Sequence, residues 1–228
     1  MNSHPIIHLP KDVLKTLNQS QVWVDENFQI HQDIIEPLIE FCSMTFQQGL
    51  PIALISGFRN YQKQAQIWDD KVSGKRPILD KSGIPITKFD TEEEKFIAIA
   101  KWSAIPGLSR HHWGTDIDIF DANRLREGHS IKLIEDEFKK GGPCEKLAYW
   151  LNTNLHKTSF YRPYLNTSKQ NEIVAINPEP WHISFKPIAD KIGKTMDSDY
   201  LIDLWRKNPF CASMWCIQNA HKIFSRNL

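Results

Sequence analysis

The chain has 228 residues, 41% hydrophobic and 24% charged, and 28 basic residues against 27 acidic ones leave a formal net charge of +1. A globular chain of this length buries roughly 70–75% of the surface its unfolded form exposes, so it needs no disulfide staples. The charge balance argues against a nucleic-acid binder and against an acidic disordered chain. No apolar run reaches the ~18 residues of a membrane span. Residues 1–15 (MNSHPIIHLPKDVLK) lack a basic stretch followed by a long apolar one, so no secretory signal is expected and the expected location is cytoplasmic. The four cysteines, at 42, 144, 211 and 216, form no CxxC and read as reduced, packed thiols.

Residues 1–30 read as irregular apart from a short helix near Lys11 to Leu17. Helical spacing of Ile34, Ile35, Leu38, Ile39, Phe41 and Cys42 predicts a helix over about 32–48, with Pro37 in its first turns and Gly49 at its end. Pro51 to Ile55 is a short apolar run expected to form a buried strand. A second helix is predicted over 60–71, and 72–90, rich in Gly, Pro, Lys and Asp, reads as a long surface loop that could close over a substrate as a lid. Thr91 to Ser103 forms a third helix, with Thr91 as N-cap and Glu92 to Glu94 at the positive end of the dipole. Asp116 to Phe120 alternates polar and apolar residues, the pattern of a half-buried strand. A helix over 144–156, strands at 172–176 and 181–185, and two or three helices over 188–228 complete the reading. Helices and strands mix without strict βαβ alternation, which predicts an α+β fold. Its sheet is small, mainly antiparallel and flanked by helices.

Three segments carry chemistry: Ser56-Gly-Phe-Arg59-Asn-Tyr61 with Gln64; Ser109-Arg-His111-His112-Trp-Gly114-Thr-Asp116-Ile-Asp118; and Glu179-Pro-Trp181-His182. Two imidazoles and a carboxylate converging from a loop and two strands make a site that suits zinc. Three protein ligands leave a position for water, as in a catalytic centre rather than a structural one. Spacing does not separate His111 from His112 as the first ligand. A carboxylate three residues before His182 can take a proton from a water that the metal has made more acidic.

In this order and spacing the three segments resemble the zinc peptidases of the VanY type, the D-alanyl-D-alanine carboxypeptidases of the broader group with lysostaphin and hedgehog. The family pattern is approximately SGYRSxxxQ, SxHxxGxAxD and ExWH, and the likeness covers roughly residues 30–187. It implies a hedgehog/DD-peptidase-like domain spanning 1–228, with its core at about 30–187 and a helical extension at 188–228. It also implies one zinc per chain on His111, Asp118 and His182, Glu179 as base, and Arg59 holding substrate and the charge at the scissile carbonyl. Ser109 and Gln64 match positions that touch substrate, and Trp181 is a candidate pocket wall. Asp116 departs from the pattern, standing where a small residue is usual. It either partners a ligand histidine or points away from the metal.

The implied substrates are peptidoglycan stem peptides or muropeptides, with no nucleic acid and no membrane as partner. In a cytoplasm, cutting D-Ala-D-Ala from new precursors would destroy the cross-linking donor, whereas trimming a recovered tetrapeptide at its L,D bond would aid recycling. An L,D-carboxypeptidase is therefore expected, ahead of a D,D-carboxypeptidase or murein endopeptidase. A zinc-containing binding module without turnover is the non-enzymatic alternative, which an intact Glu179 disfavours.

Overall fold

A computed structural model describes residues 5–80, 82–165 and 176–224. In chain order the elements are β1 (Ile6–His8), α1 (Lys11–Gln19), β2 (Trp23–Val24), β3 (Gln29–His31), α2 (Ile35–Phe46), β4 (Ile52–Ser56), α3 (Tyr61–Val72), α4 (Glu92–Ala100), β5 (Asp116–Asp121), α5 (Ala122–Arg126), α6 (Glu145–Asn154), β6 (Phe160–Tyr161), β7 (His182–Phe185), α7 (Lys186–Gly193), α8 (Ser198–Lys207), α9 (Ser213–Gln218) and α10 (Ala220–Phe224). The helix starts follow local chemistry. The Asn60 side chain accepts from the Lys63 N–H at 2.8 Å to open α3, and Thr91 accepts from the Glu94 N–H at 3.1 Å to open α4.

The chain divides into two compact units. The first holds a five-stranded sheet in the order β2-β4-β5-β7-β6 and a two-stranded sheet, β1-β3. Within the five strands, β2 runs parallel to β4 and every other neighbour pair is antiparallel. This is the small, mainly antiparallel sheet with helices that the sequence predicts. The three short strands β1, β2 and β3 lie in the stretch read as irregular, because two or three residues are too few to show a period of two. The predicted strand at 172–176 falls on residues that, but for Ile176, lie outside those described. Aromatic packing fills this unit: Phe41 meets Trp150 edge-on at 5.7 Å, and Phe160 lies 5.5 Å from both Phe41 and Phe185.

The second unit has its own core. Trp68 is fully buried with Phe210 at 5.6 Å, and Phe96 packs on Trp215 at 5.7 Å. Trp68 donates its indole N–H to the Ser103 and Ala104 carbonyls, and Trp205 donates to the Pro106 carbonyl at 2.7 Å. Thus α8, α9 and α10, from the predicted helical extension, supply Leu201, Trp205, Trp215, Cys216, Ala220 and Ile223 to a hydrophobic cluster shared with α3 and α4.

Candidate metal centre and catalytic residues

β5 is the middle strand of its sheet, and all six of its residues are buried. Its alternation therefore reports two buried faces rather than a wet one, which corrects the half-buried expectation. Ile117 and Ile119 point into the apolar core, while Asp116 and Asp118 share the opposite face. The register with β7 is unbroken: Asp116 stands opposite Ser184, Ile117 opposite Ile183, and Asp118 opposite His182. A regular strand settles the alternative left open for Asp116. It does not point away; it lies on the face that carries Asp118 and His182.

Segment geometry explains the short spacings. The His182 N–H donates to the Glu179 carbonyl at 3.2 Å, closing a turn across Pro180 and Trp181. This turn brings the Glu179 carboxylate to 3.5 Å from His182 Nδ1. The Glu179 N–H in turn donates to the Tyr164 carbonyl at 3.0 Å, and the Tyr164 ring stands edge-on to the His182 ring at 4.9 Å. Two glycines are required by space. At Gly57 a Cβ would collide with the Gln29 carbonyl oxygen, and at Gly114, where φ is +70°, it would meet Ile6 and the His31 backbone.

His182 is almost fully buried and has a carboxylate at each ring nitrogen: Asp116 Oδ1 lies 2.8 Å from Nε2, and Asp118 Oδ1 lies 3.0 Å from Nδ1. Burial alone would lower its pKa, but the hydrogen bonds and charges of the two aspartates prevail and raise it to about 10. His112 is the opposite case. Its Nδ1–H donates to the Arg59 carbonyl at 2.6 Å and its Nε2 accepts from the Gly107 N–H at 3.0 Å. Burial lowers its pKa to about 4 and keeps it neutral, against the hydrogen bond it donates to the Arg59 carbonyl. Both of its nitrogens are held by backbone, so it is not available as a ligand. That separates it from His111, which spacing could not do.

Among the described residues, His111, Asp118 and His182 are buried and each offers a ligand atom, and these atoms all lie within 4.8 Å of one another. The donor set fits a zinc-like cation. Two imidazoles and a carboxylate are borderline ligands, and Asp116, Asp118 and Glu179 crowd negative charge around one imidazole. The other predicted residues are placed as follows. Arg59 Nη1 donates to Gln64 Oε1 at 2.9 Å, while Gln64 Nε2 donates to the Ala104 carbonyl at 2.6 Å. Gln64 is fully buried, so both ends of its amide serve to hold the Arg59 guanidinium. Ser109 is buried, and its carbonyl accepts from the His112 N–H at 3.0 Å. Trp181 is 3% exposed with its ring 5.9 Å from Phe138, so it packs the interior behind the turn. Thr115, Ser184 and Tyr164 received no role from the sequence, although Ser184 is two residues from His182 and so must share its strand face.

The two histidine shifts predict a bell-shaped stability profile for the metal-free protein. His182, raised in the fold, stabilises fully below its unfolded value of ~6.5, and that contribution is lost as pH rises toward 10. His112, lowered in the fold, stabilises above ~6.5 and loses its contribution as pH falls toward 4. Urea midpoints measured in chelator from pH 4 to 10 are expected to peak near pH 6.5, with His112→Gln flattening the acid side. A midpoint that stays level from pH 6.5 to 9 would contradict the His182 assignment.

The sequence pattern of the VanY family, D-alanyl-D-alanine carboxypeptidase, matches residues 27–188. The chain belongs to the VanY family. An uncharacterised protein of Haemophilus influenzae is 34% identical over 121 residues, which are 53% of this chain and 90% of that one. A D-alanyl-D-alanine carboxypeptidase of Enterococcus faecalis is 27% identical over 60% of this chain, and the match spans 41% of the Enterococcus protein's own length. The crystal structure of a zinc-bound variant of VanY, the vancomycin-resistance D,D-pentapeptidase of a VanB-type cassette, is similar with 25% identity and a TM-score of 0.50. That likeness covers 75% of this chain and 81% of the other. The VanY match ends inside α7, before α8, α9 and α10.

Proposed function

We propose that the protein is a zinc-dependent carboxypeptidase that removes the terminal D-alanine from peptidoglycan stem peptides. The observation that carries this reading is the trio of buried donors, His111, Asp118 and His182, with the Glu179 carboxylate turned back beside His182. Family membership supports the substrate class. His111, Asp118 and His182 would hold one zinc per chain. When bound, the zinc would supply Lewis-acid polarisation of the scissile carbonyl and lower the pKa of a water molecule.

The chain's own groups then divide the work. Glu179 takes the proton of the attacking water on its carboxylate and passes it to the leaving amine. Its side chain is 13% exposed, enough to reach a water while most of its surface is enclosed. Arg59 presents a charged fork, held by Gln64, to the substrate carboxylate or to the charge developing on the carbonyl oxygen. Trp181 and Ser109 act from the interior, by fixing the turn before β7 and the loop before β5.

Within this reading we propose the L,D bond of the tetrapeptide as the bond cut, in muropeptide recycling. The reading is tied to an intracellular site of action, where an enzyme that trimmed pentapeptide precursors would remove the donor for cross-linking. The D,D bond of the pentapeptide is the second reading, favoured by the description of the family and by the Enterococcus relative. Mass spectrometry of products from zinc-loaded protein given free muropeptide tetrapeptide and pentapeptide, with a chelator control, separates them. Loss of one D-alanine from the tetrapeptide alone, abolished by chelator, is the expected result. Loss from the pentapeptide alone would move the specificity to D,D. No cleavage of either would overturn the carboxypeptidase reading.

A further inference from the structure

We propose that Asp116 is a positioning residue for His182, fixing its Nε2–H so that Nδ1 is the nitrogen offered to the metal. The inference rests on His182 being a metal ligand. Asp116 is completely buried and its carboxylate is fully used. Oδ1 lies 2.8 Å from His182 Nε2, and Oδ2 accepts from the Thr115 hydroxyl at 2.7 Å and the Ser184 hydroxyl at 2.9 Å. The other side of the ring is different. Nδ1 faces Asp118 Oδ1 at 3.0 Å and Glu179 Oε2 at 3.5 Å, the carboxylates proposed as ligand and base. An imidazole that ligates a metal donates its second N–H to an outer acceptor, which sets its tautomer and ring orientation and makes it a stronger ligand. Asp116 occupies that outer position, and the strand register explains how. His182 stands opposite Asp118, so its ring reaches diagonally to Asp116, and Ser184, opposite Asp116, closes the far oxygen. The small residue usual at position 116 in the resembled pattern could not accept this proton.

The test is zinc affinity by competition with a chromophoric chelator, alongside circular dichroism to show that each protein is folded. Asp116→Ala is expected to weaken zinc binding on the order of 10–100-fold. Asp116→Asn is expected to fall between wild type and alanine. Its amide oxygen still accepts from Nε2–H, and the Thr115 and Ser184 hydroxyls can rotate to accept from its NH2 group. A merely structural role would lower the melting temperature and leave the affinity of the folded protein unchanged. Zinc binding by folded Asp116→Ala within twofold of wild type would overturn the proposal. Should that variant not fold, nitrogen NMR of the zinc-loaded wild type decides: a proton on Nε2 with Nδ1 metallated is expected, and the reverse overturns it. A wild type that takes up no zinc overturns the metal reading itself, a separate result.

Discussion

Replacing Glu179 with glutamine is expected to leave zinc bound and to reduce kcat by roughly 10²–10⁴-fold with little change in KM, the range that general acid–base catalysis supplies. The substitution keeps the shape of the side chain and the backbone turn through Pro180, since the His182 N–H bonds to the Glu179 carbonyl and not to its side chain. It removes the capacity to accept a proton. Zinc should persist because Glu179 is not one of the three side chains whose donor atoms converge. Steady-state kinetics on stem peptide, with zinc content by atomic absorption, would read both. A variant that turns over at the wild-type rate would exclude Glu179 as the base, and one that loses zinc would make it a ligand.

Why the donors were legible in the sequence follows from the β-strand period. Asp116 and Asp118 on β5 and His182 and Ser184 on β7 are each two residues apart, so each pair lies on one face wherever the strands are regular. The E-P-W-H spacing is likewise local, being one turn that feeds a strand. His111 was legible only by resemblance. The structure adds the physical reason: His112 is held at both ring nitrogens by the Gly107 N–H and the Arg59 carbonyl. Those contacts join residues 5 and 53 positions away, and no local pattern announces them.

Other features were hidden for related reasons. Gln64 was expected by resemblance at a position that touches substrate, and its burial against Arg59 and the Ala104 carbonyl depends on a loop forty residues later. The alternation of β5 suggested a wet face because, in an ordinary sheet, alternating aspartates face water. A central strand that buries two carboxylates breaks that rule, and the exception marks the site. The second hydrophobic cluster was partly visible in the helices predicted over 188–228, which carry Leu201, Trp205 and Trp215. That they pack with Trp68 and Phe96 is a non-local fact.

Replacing His182 with alanine is expected to abolish zinc binding and turnover together and to destabilise the fold by about 3–5 kcal/mol, the usual effect of removing one member of a buried charged pair. The argument rests on what remains. Asp116 is completely buried and Asp118 nearly so, and without the imidazole Asp116 loses its contact to Nε2 while the Thr115 and Ser184 hydroxyls remain on its other oxygen. Two close carboxylates then lose the cationic group that lies between them. His182→Gln separates the two losses. Its amide can donate to Asp116 and restore part of the stability, but an amide is a poor zinc ligand, so metal and turnover stay lost. Thermal melts in chelator, zinc content and product formation would be measured for both variants. If His182→Ala bound zinc as tightly as wild type, the ligand assignment would be wrong. If His182→Gln were no more stable than His182→Ala, the Asp116 hydrogen bond would not be the source of the lost stability.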